Sequence, residues 1–219
     1  MKVTWLGHSA VHVQGSKTIL VDPFLTGNPA APYGPEAVES ADLILVTHAH
    51  EDHLGDAYAL CRKTGATLVS SHEIAVQGAE NGVAKTEGMN IGGSIEADGV
   101  PVHMVHAQHS VHFGDVTGLI FELDGRILYH LGDTGLFGDL KLIAEFFPVI
   151  DLAFVPIGDR YTMGPQSAAR AVEFLRPRIV VPIHYNTWPP IAQDPHVFKT
   201  LVGDTAEVRI PPVGEPFDL

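Results

Sequence analysis

The sequence predicts an α/β fold in a single domain spanning residues 1–219, and three observations carry that expectation. Short apolar runs alternate with helix-like segments along the chain, and five of those runs end on an ionisable group. With 45% hydrophobic residues among 219, a chain of this length buries roughly 70% of its unfolded surface, enough for a true core. An α/β chain of this size usually folds as one domain.

The first elements are strands. Val3 and Trp5, then Val11 and Val13, alternate with Thr4, His12 and Gln14, the period of half-buried antiparallel strands joined by the turn Gly7-His8-Ser9. Residues 19–21 run into Asp22, 43–46 into Thr47-His48, and 127–129 towards Asp133. Residues 152–155 run into Gly158-Asp159, and 179–181 towards His184. Strand ends on one rim of a sheet are where α/β folds place ligands, so these groups are expected at one shared site. Helices are expected over 54–62, 73–80, 137–146 and 166–175, the last opened by Pro165 in a position suited to the first helical turn. Residues 85–122 read as strands again, with Gly92-Gly93, Asp98-Gly99 and Asp124-Gly125 as turns. The Pro-rich stretches 28–35 and 188–195 read as ordered loops, and no internal repeat or linker is visible.

Composition narrows the function. The net charge is −13 and the basic residues are scattered, with no run longer than Arg62-Lys63, so no stripe for nucleic acid or an anionic membrane is visible. Met1 to Leu6 is a short apolar stretch cut off by Gly7-His8, with no recognisable targeting or membrane-spanning pattern. The lone Cys61 has no partner for an intramolecular disulfide, which fits a reducing, cytoplasmic compartment, and its place in a helical stretch reads as small core packing. The chain has 13 histidines, as many as its lysines and arginines together. That excess calls for a chemical explanation.

The strongest signal is Thr47-His48-Ala49-His50-Glu51-Asp52-His53. His48 and His50 are two apart on a chain leaving a strand, so both imidazoles can face one side, while Asp52 and His53 begin the following helix. A helix cap explains Asp52 alone; three histidines with it point to a metal. One ion would need further ligands on each side, so two ions are the simplest solution, with a carboxylate between them. Gly132-Asp133-Thr134 fits, because glycine permits close backbone approach and the aspartate follows a strand.

These residues resemble the His-x-His-x-Asp-His motif of the metallo-β-lactamase superfamily, and the resemblance extends over nearly the whole chain. Gly7-His8-Ser9, Asp22-Pro23-Phe24-Leu25-Thr26-Gly27-Asn28-Pro29, Ile91-Gly92-Gly93, Pro156-Ile157-Gly158-Asp159, Thr162-Met163-Gly164-Pro165 and His184-Tyr185-Asn186-Thr187 look more narrowly like small bacterial metal-dependent hydrolases of unassigned substrate, related to ascorbate-6-phosphate lactonases. The resemblance implies a four-layer αββα sandwich with two divalent ions per chain, zinc first and manganese second. It implies His48, His50 and a later histidine at one ion, Asp52, His53 and His184 at the other, and Asp133 bridging. The family's His-Ser loop position selects His109, ahead of His106 and His112. Cys61 matches no ligand position.

The expected activity is hydrolysis of a small ester, lactone or phosphoester by a metal-bridging hydroxide, with Asp52 and Asp133 closest to the chemistry. His8 and Asp22 are expected beside the metals or the active site. Asp159, Arg160 and Asn186 are expected to touch substrate or orient ligands, Arg160 adding a charge-assisted contact to an anionic group. His130 reads as a buried core or supporting histidine, and His12, His72 and His196 as surface residues. The expected partner is a small molecule, not nucleic acid or membrane, with homo-oligomerisation left open. Two other readings use the same scaffold: a nuclease or phospholipid phosphodiesterase, and a di-iron or metal-sensing module.

Overall fold

The computed structural model describes residues 1–219. Two seven-stranded sheets stack face to face. The first contains β1 (Lys2–Trp5), β2 (Val11–Gln14), β3 (Thr18–Val21), β4 (Leu43–Leu45), β5 (Thr67–Ser71), β6 (Thr86–Met89) and the C-terminal β14 (Pro216–Asp218), in the order β14-β1-β2-β3-β4-β5-β6. The second contains β7 (Ser94–Ala97), β8 (Val100–His106), β9 (Thr117–Leu123), β10 (Arg126–His130), β11 (Leu152–Pro156), β12 (Ile179–Ile183) and β13 (Glu207–Val208), in the order β13-β12-β11-β10-β9-β8-β7. Helices α1 (Glu51–Leu54), α2 (Ala57–Thr64) and α3 (His72–Glu80) follow strands of the first sheet. Helices α4 (Leu140–Phe146), α5 (Pro165–Leu175) and α6 (Pro195–Val202) follow strands of the second. This is the αββα sandwich.

The period of two explains the layering. Val11, Val13, Ile19, Val21, Leu43, Leu45 and Val69 belong to one large core with Val102, Met104, Phe121 and Leu128 of the facing sheet. The alternate residues Leu20, Ile44 and Leu68 pack with Leu60, Cys61 and Ile74 from α2 and α3. Strands covered on both faces read as unbroken apolar runs, which is why 43–46 and 152–155 show no alternation. Cys61 is buried as expected.

Both sheets share one pairing scheme. Each begins with antiparallel pairs (β14-β1-β2-β3; β7-β8-β9-β10) and continues with parallel ones (β3-β4-β5-β6; β10-β11-β12-β13). The architecture is therefore duplicated although the sequence shows no repeat, because only the burial pattern has to recur.

Several local expectations are corrected. The helix expected over 54–62 is two helices, broken at Gly55 (φ +41°), where a Cβ would lie 2.7 Å from the Pro23 carbonyl oxygen. Asp56 then ties down the 22–26 loop, accepting from Leu25 N at 3.0 Å and Thr26 N at 2.8 Å. The helix expected from 137 starts at Leu140. A further helix, α6, follows the second Pro-rich loop, its N-terminus capped by the Asp194 carboxylate accepting from His196 N. His12 is half-buried, with a buried Nε2 that lacks a partner, whereas His72 and His196 are exposed. No helix is long and apolar enough to cross a membrane.

Candidate metal centre

The sheets bring their strand ends to one rim. His8 follows β1, Asp22 follows β3, His48 follows β4, Asp133 follows β10 and His184 follows β12. Five non-glycine residues in the loops after these strands and β11 have left-handed backbone: His8 (φ 53°), Asp22 (45°), Asp159 (72°), His184 (55°) and Asn186 (59°). Each such residue costs about 1–3 kcal/mol and persists only where its surroundings hold it, typically at a functional site. One of those restraints joins the sheets: His184 N donates to the His8 carbonyl at 2.9 Å, and the two rings lie 4.0 Å apart. Gly132 lets the Asp133 loop approach, since a Cβ there would meet the Thr117 carbonyl oxygen at 2.5 Å.

Two groups of ligand atoms result. His48, His50, His109 and Asp133 form one, and His8, Asp52, His53 and His184 the other, the atoms of each within 4.8 Å of one another. Asp133 joins them, with Oδ1 3.2 Å from His53 Nε2 and Oδ2 3.1 Å from His184 Nε2 and 3.7 Å from His109 Nε2. His109 therefore lies in the first group, while His106 is exposed on β8 against Phe137 and His112 is exposed beyond it.

Hydrogen bonds outside the groups decide which nitrogens face inward. Asp22, fully buried, accepts from His53 Nδ1 at 2.7 Å, Thr47 N at 2.8 Å and Thr47 Oγ1 at 2.7 Å. With its proton committed to Asp22, Thr47 Oγ1 accepts from His48 Nδ1 at 3.0 Å. His48 Nε2 and His53 Nε2 therefore turn towards the centre. Burial holds His48 well below the ordinary histidine value, so its Nε2 carries a lone pair at neutral pH. His8 Nε2 lies 3.0 Å from Asp52 Oδ2 and its Nδ1 2.7 Å from Thr187 Oγ1. Burial pushes His8 down to about 4, so the neutral ring donates to Asp52 and accepts from Thr187. His130 Nε2 donates to the Ser9 carbonyl at 2.9 Å, a buried supporting role.

These atoms fit a cation. His53 Nε2 and Asp133 Oδ1 are buried 3.2 Å apart without a hydrogen-bond partner, and an isolated buried donor or acceptor of this kind is costly. An imidazole–carboxylate set without thiolate accepts zinc, manganese, iron or nickel. Burial opposes charge on His53, but the Asp133 and Asp22 carboxylates outweigh it and raise the ring well above its ordinary value. Against burial, His184 and His53 hold Asp133 well below the carboxylate range, and His53 lowers Asp22 as well. The expected outcome is that His53 in metal-stripped protein carries a second ring proton near neutral pH, which a metal would displace. Calorimetric titration with zinc, in two buffers of different ionisation enthalpy, is expected to show at least one proton released per chain. Affinity should weaken roughly tenfold per pH unit below neutrality for each proton displaced. Zinc uptake without proton release would show that His53 is already neutral in the metal-stripped protein.

The centre opens into a cavity of about 290 Å³ whose walls include His50, His109, Ser110, Tyr161 and Trp188. Of the residues expected to touch substrate, three are not among its lining. Asp159 is exposed beside Gly164, at the start of α5. Arg160 is exposed, its guanidinium 5.7 Å from the Tyr161 ring centroid. Asn186 Oδ1 accepts from Gln193 N at 2.8 Å, shaping its own loop. The sequence alone assigns no role to Tyr161, to Trp188 or to the hydroxyls of Thr47 and Thr187, although the two threonines lie within the motifs and the two aromatic residues beside them.

Residues 17–185 match the model of the beta-lactamase superfamily domain. A UPF0173 metal-dependent hydrolase of Thermococcus onnurineus is 53% identical, and one of Pelotomaculum thermopropionicum 48%, each over the full length of both chains. The structure of Igni18, a metallo hydrolase of the hyperthermophilic archaeon Ignicoccus hospitalis, is 41% identical with a TM-score of 0.91, covering 100% of this chain and 98% of that one. Similar proteins are thus not confined to bacteria. The chain belongs to the metallo-β-lactamase superfamily, among its UPF0173 metal-dependent hydrolases.

Proposed function

We propose that the protein is a dinuclear metal-dependent hydrolase of a small ester, lactone or phosphoester. The observation that carries this reading is the position of Asp133, whose two oxygens face ligand atoms of both groups. His48, His50, His109 and Asp133 would hold one ion, and Asp52, His53, His184 and Asp133 the other. Two divalent ions bound there would supply a hydroxide nucleophile at neutral pH and polarise the substrate's oxygen.

The chain's own residues prepare that chemistry. Asp22 and Thr47 fix the tautomers of His53 and His48, and second partners of this kind typically set metal affinity by 10–100-fold. His8 orients Asp52 through a hydrogen bond that Thr187 anchors from behind. Although burial opposes it, the bond from His8 and the nearby His53 hold Asp52 below the usual carboxylate range, so it stays ionised as a ligand. The part of the substrate that meets the centre would have to fit a cavity of about 290 Å³, which favours a compact molecule. A nuclease reading has less support, since no lysine or arginine lines the cavity.

The test is a hydrolysis screen of zinc-loaded and manganese-loaded protein against simple esters, lactones and phosphodiesters. Turnover is expected with small substrates, is lost on chelation and returns with added metal. Turnover that survives complete chelation would contradict the proposal.

A further inference from the structure

Apart from the candidate metal ligands, the cavity is walled by Ser110, Tyr161 and Trp188. None carries a charge, and two are aromatic. Trp188 is 37% exposed and Tyr161 54%, so two large rings border an otherwise polar centre.

The Trp188 ring is packed in place, and the backbone that carries Tyr161 is tied down. Trp188 lies edge-on to His8 with centroids 4.9 Å apart, and 6.1 Å from Phe24. Pro189 and Pro190 follow it and restrict the backbone, and its carbonyl accepts from Ile191 N at 3.1 Å. Tyr161 sits in a turn closed by Asp159 N donating to Met163 O at 3.0 Å and Thr162 N to Asp159 O at 3.1 Å. Met163 N donates to Thr134 O at 2.9 Å, tying that turn to the residue after Asp133. A ring packed before binding, as Trp188 is, loses little freedom when a ligand arrives.

The charge pattern narrows the ligand. Asp52 and Asp133 would be offset by the ions they hold, and beyond the ions no lysine or arginine lines this cavity to grip a phosphate or carboxylate. At about 290 Å³ it sits at the small end of ligand pockets.

We infer that the substrate is a compact, uncharged ester or lactone carrying a flat ring that rests against Trp188 and Tyr161, and that these two residues set specificity. The inference rests on the hydrolase reading and narrows its substrate class. Water adds across the acyl C–O bond: its oxygen joins the acyl carbon, one proton goes to the released alcohol oxygen, and the other product is the carboxylic acid.

Two measurements test it, one without turnover. Trp5, the other tryptophan, is buried and stacked on Tyr185, so fluorescence quenched by acrylamide reports Trp188. Benzamide should protect that fluorescence in zinc-loaded protein, more strongly than benzoate or inorganic phosphate. Tyr161→Ala should weaken benzamide binding about 3- to 10-fold with zinc content unchanged. Absent protection, or stronger protection by benzoate or phosphate, overturns the inference. In turnover, methyl phenylacetate is expected to exceed methyl acetate in kcat/KM, a pair with the same leaving group. Tyr161→Ala and Trp188→Leu should shrink that preference, mainly through KM. A preference for 4-nitrophenyl phosphate, or one untouched by both variants, overturns the inference. If no ester, lactone or phosphoester is cleaved while benzamide still protects Trp188, the hydrolase reading fails and the aromatic subsite stands. Turnover without protection defeats the subsite alone.

Discussion

Asp133→Asn is expected to keep the fold and lower kcat/KM by more than about 100-fold, beyond what the loss of a supporting partner of a metal ligand usually costs. The carboxylate is 2% exposed and lies within 3.7 Å of ring nitrogens from His53, His109 and His184. An amide has nearly the same shape, so packing survives. It presents one oxygen and one NH₂ group, however, and the NH₂ has no lone pair to give a cation. Metal analysis beside steady-state kinetics checks this: metal content should fall with activity. Full activity with both metals bound would place the nucleophile's origin elsewhere.

Asp22→Ala should be the most damaging change outside the ligand set. Its carboxylate is completely buried and accepts from three donors, Thr47 N, Thr47 Oγ1 and His53 Nδ1. Removing one partner of such a buried cluster typically costs about 3–5 kcal/mol, because the remaining groups cannot reach water. For a chain of this size that corresponds to a Tm lower by roughly 6–20 °C. Thermal unfolding of the metal-stripped variant against stripped wild type measures it. Because folding holds the Asp22 pKa below its ordinary value, its contribution is present above the unfolded carboxylate pKa and fades as pH falls through the folded one. The Tm difference should therefore shrink in acid. A variant within 2 °C of wild type at neutral pH, a small shift by the measure of roughly 2–4 °C per kcal/mol, would show that Asp22 is not an anchor.

How much of this was legible in the sequence depended on distance along the chain. His48, His50, Asp52 and His53 lie within six residues, so their convergence follows from one strand end and one helix start. The apolar runs 19–21, 43–46, 152–155 and 179–181 read correctly as buried strands because burial on both faces leaves no ambiguity of period. The later histidine was harder. His103, His106, His109 and His112 recur every three residues, and the spacing alone does not choose among them. The choice is made by a tertiary contact: Gln108 N donates to Thr134 Oγ1 and Gly135 N to Gln108 O, which draws His109 beside Asp133. The roles expected of Asp159, Arg160 and Asn186 rested on sequence proximity to β11 and to His184. Their left-handed or exposed backbone positions turn them to loop packing, while Tyr161 and Trp188, one and two residues further on than Arg160 and Asn186, reach the cavity. The break at Gly55 was likewise invisible locally, since its cause is the Pro23–Phe24 backbone lying against it.

The most direct test of the account is an anomalous difference map, recorded at the zinc edge, from crystals of zinc-loaded protein. Two peaks per chain are expected. One should lie within bonding distance of His48, His50, His109 and Asp133, and the other within bonding distance of Asp52, His53, His184 and Asp133, with neither His106 nor His112 a ligand. A single peak, or two peaks that do not share Asp133, would contradict the dinuclear centre.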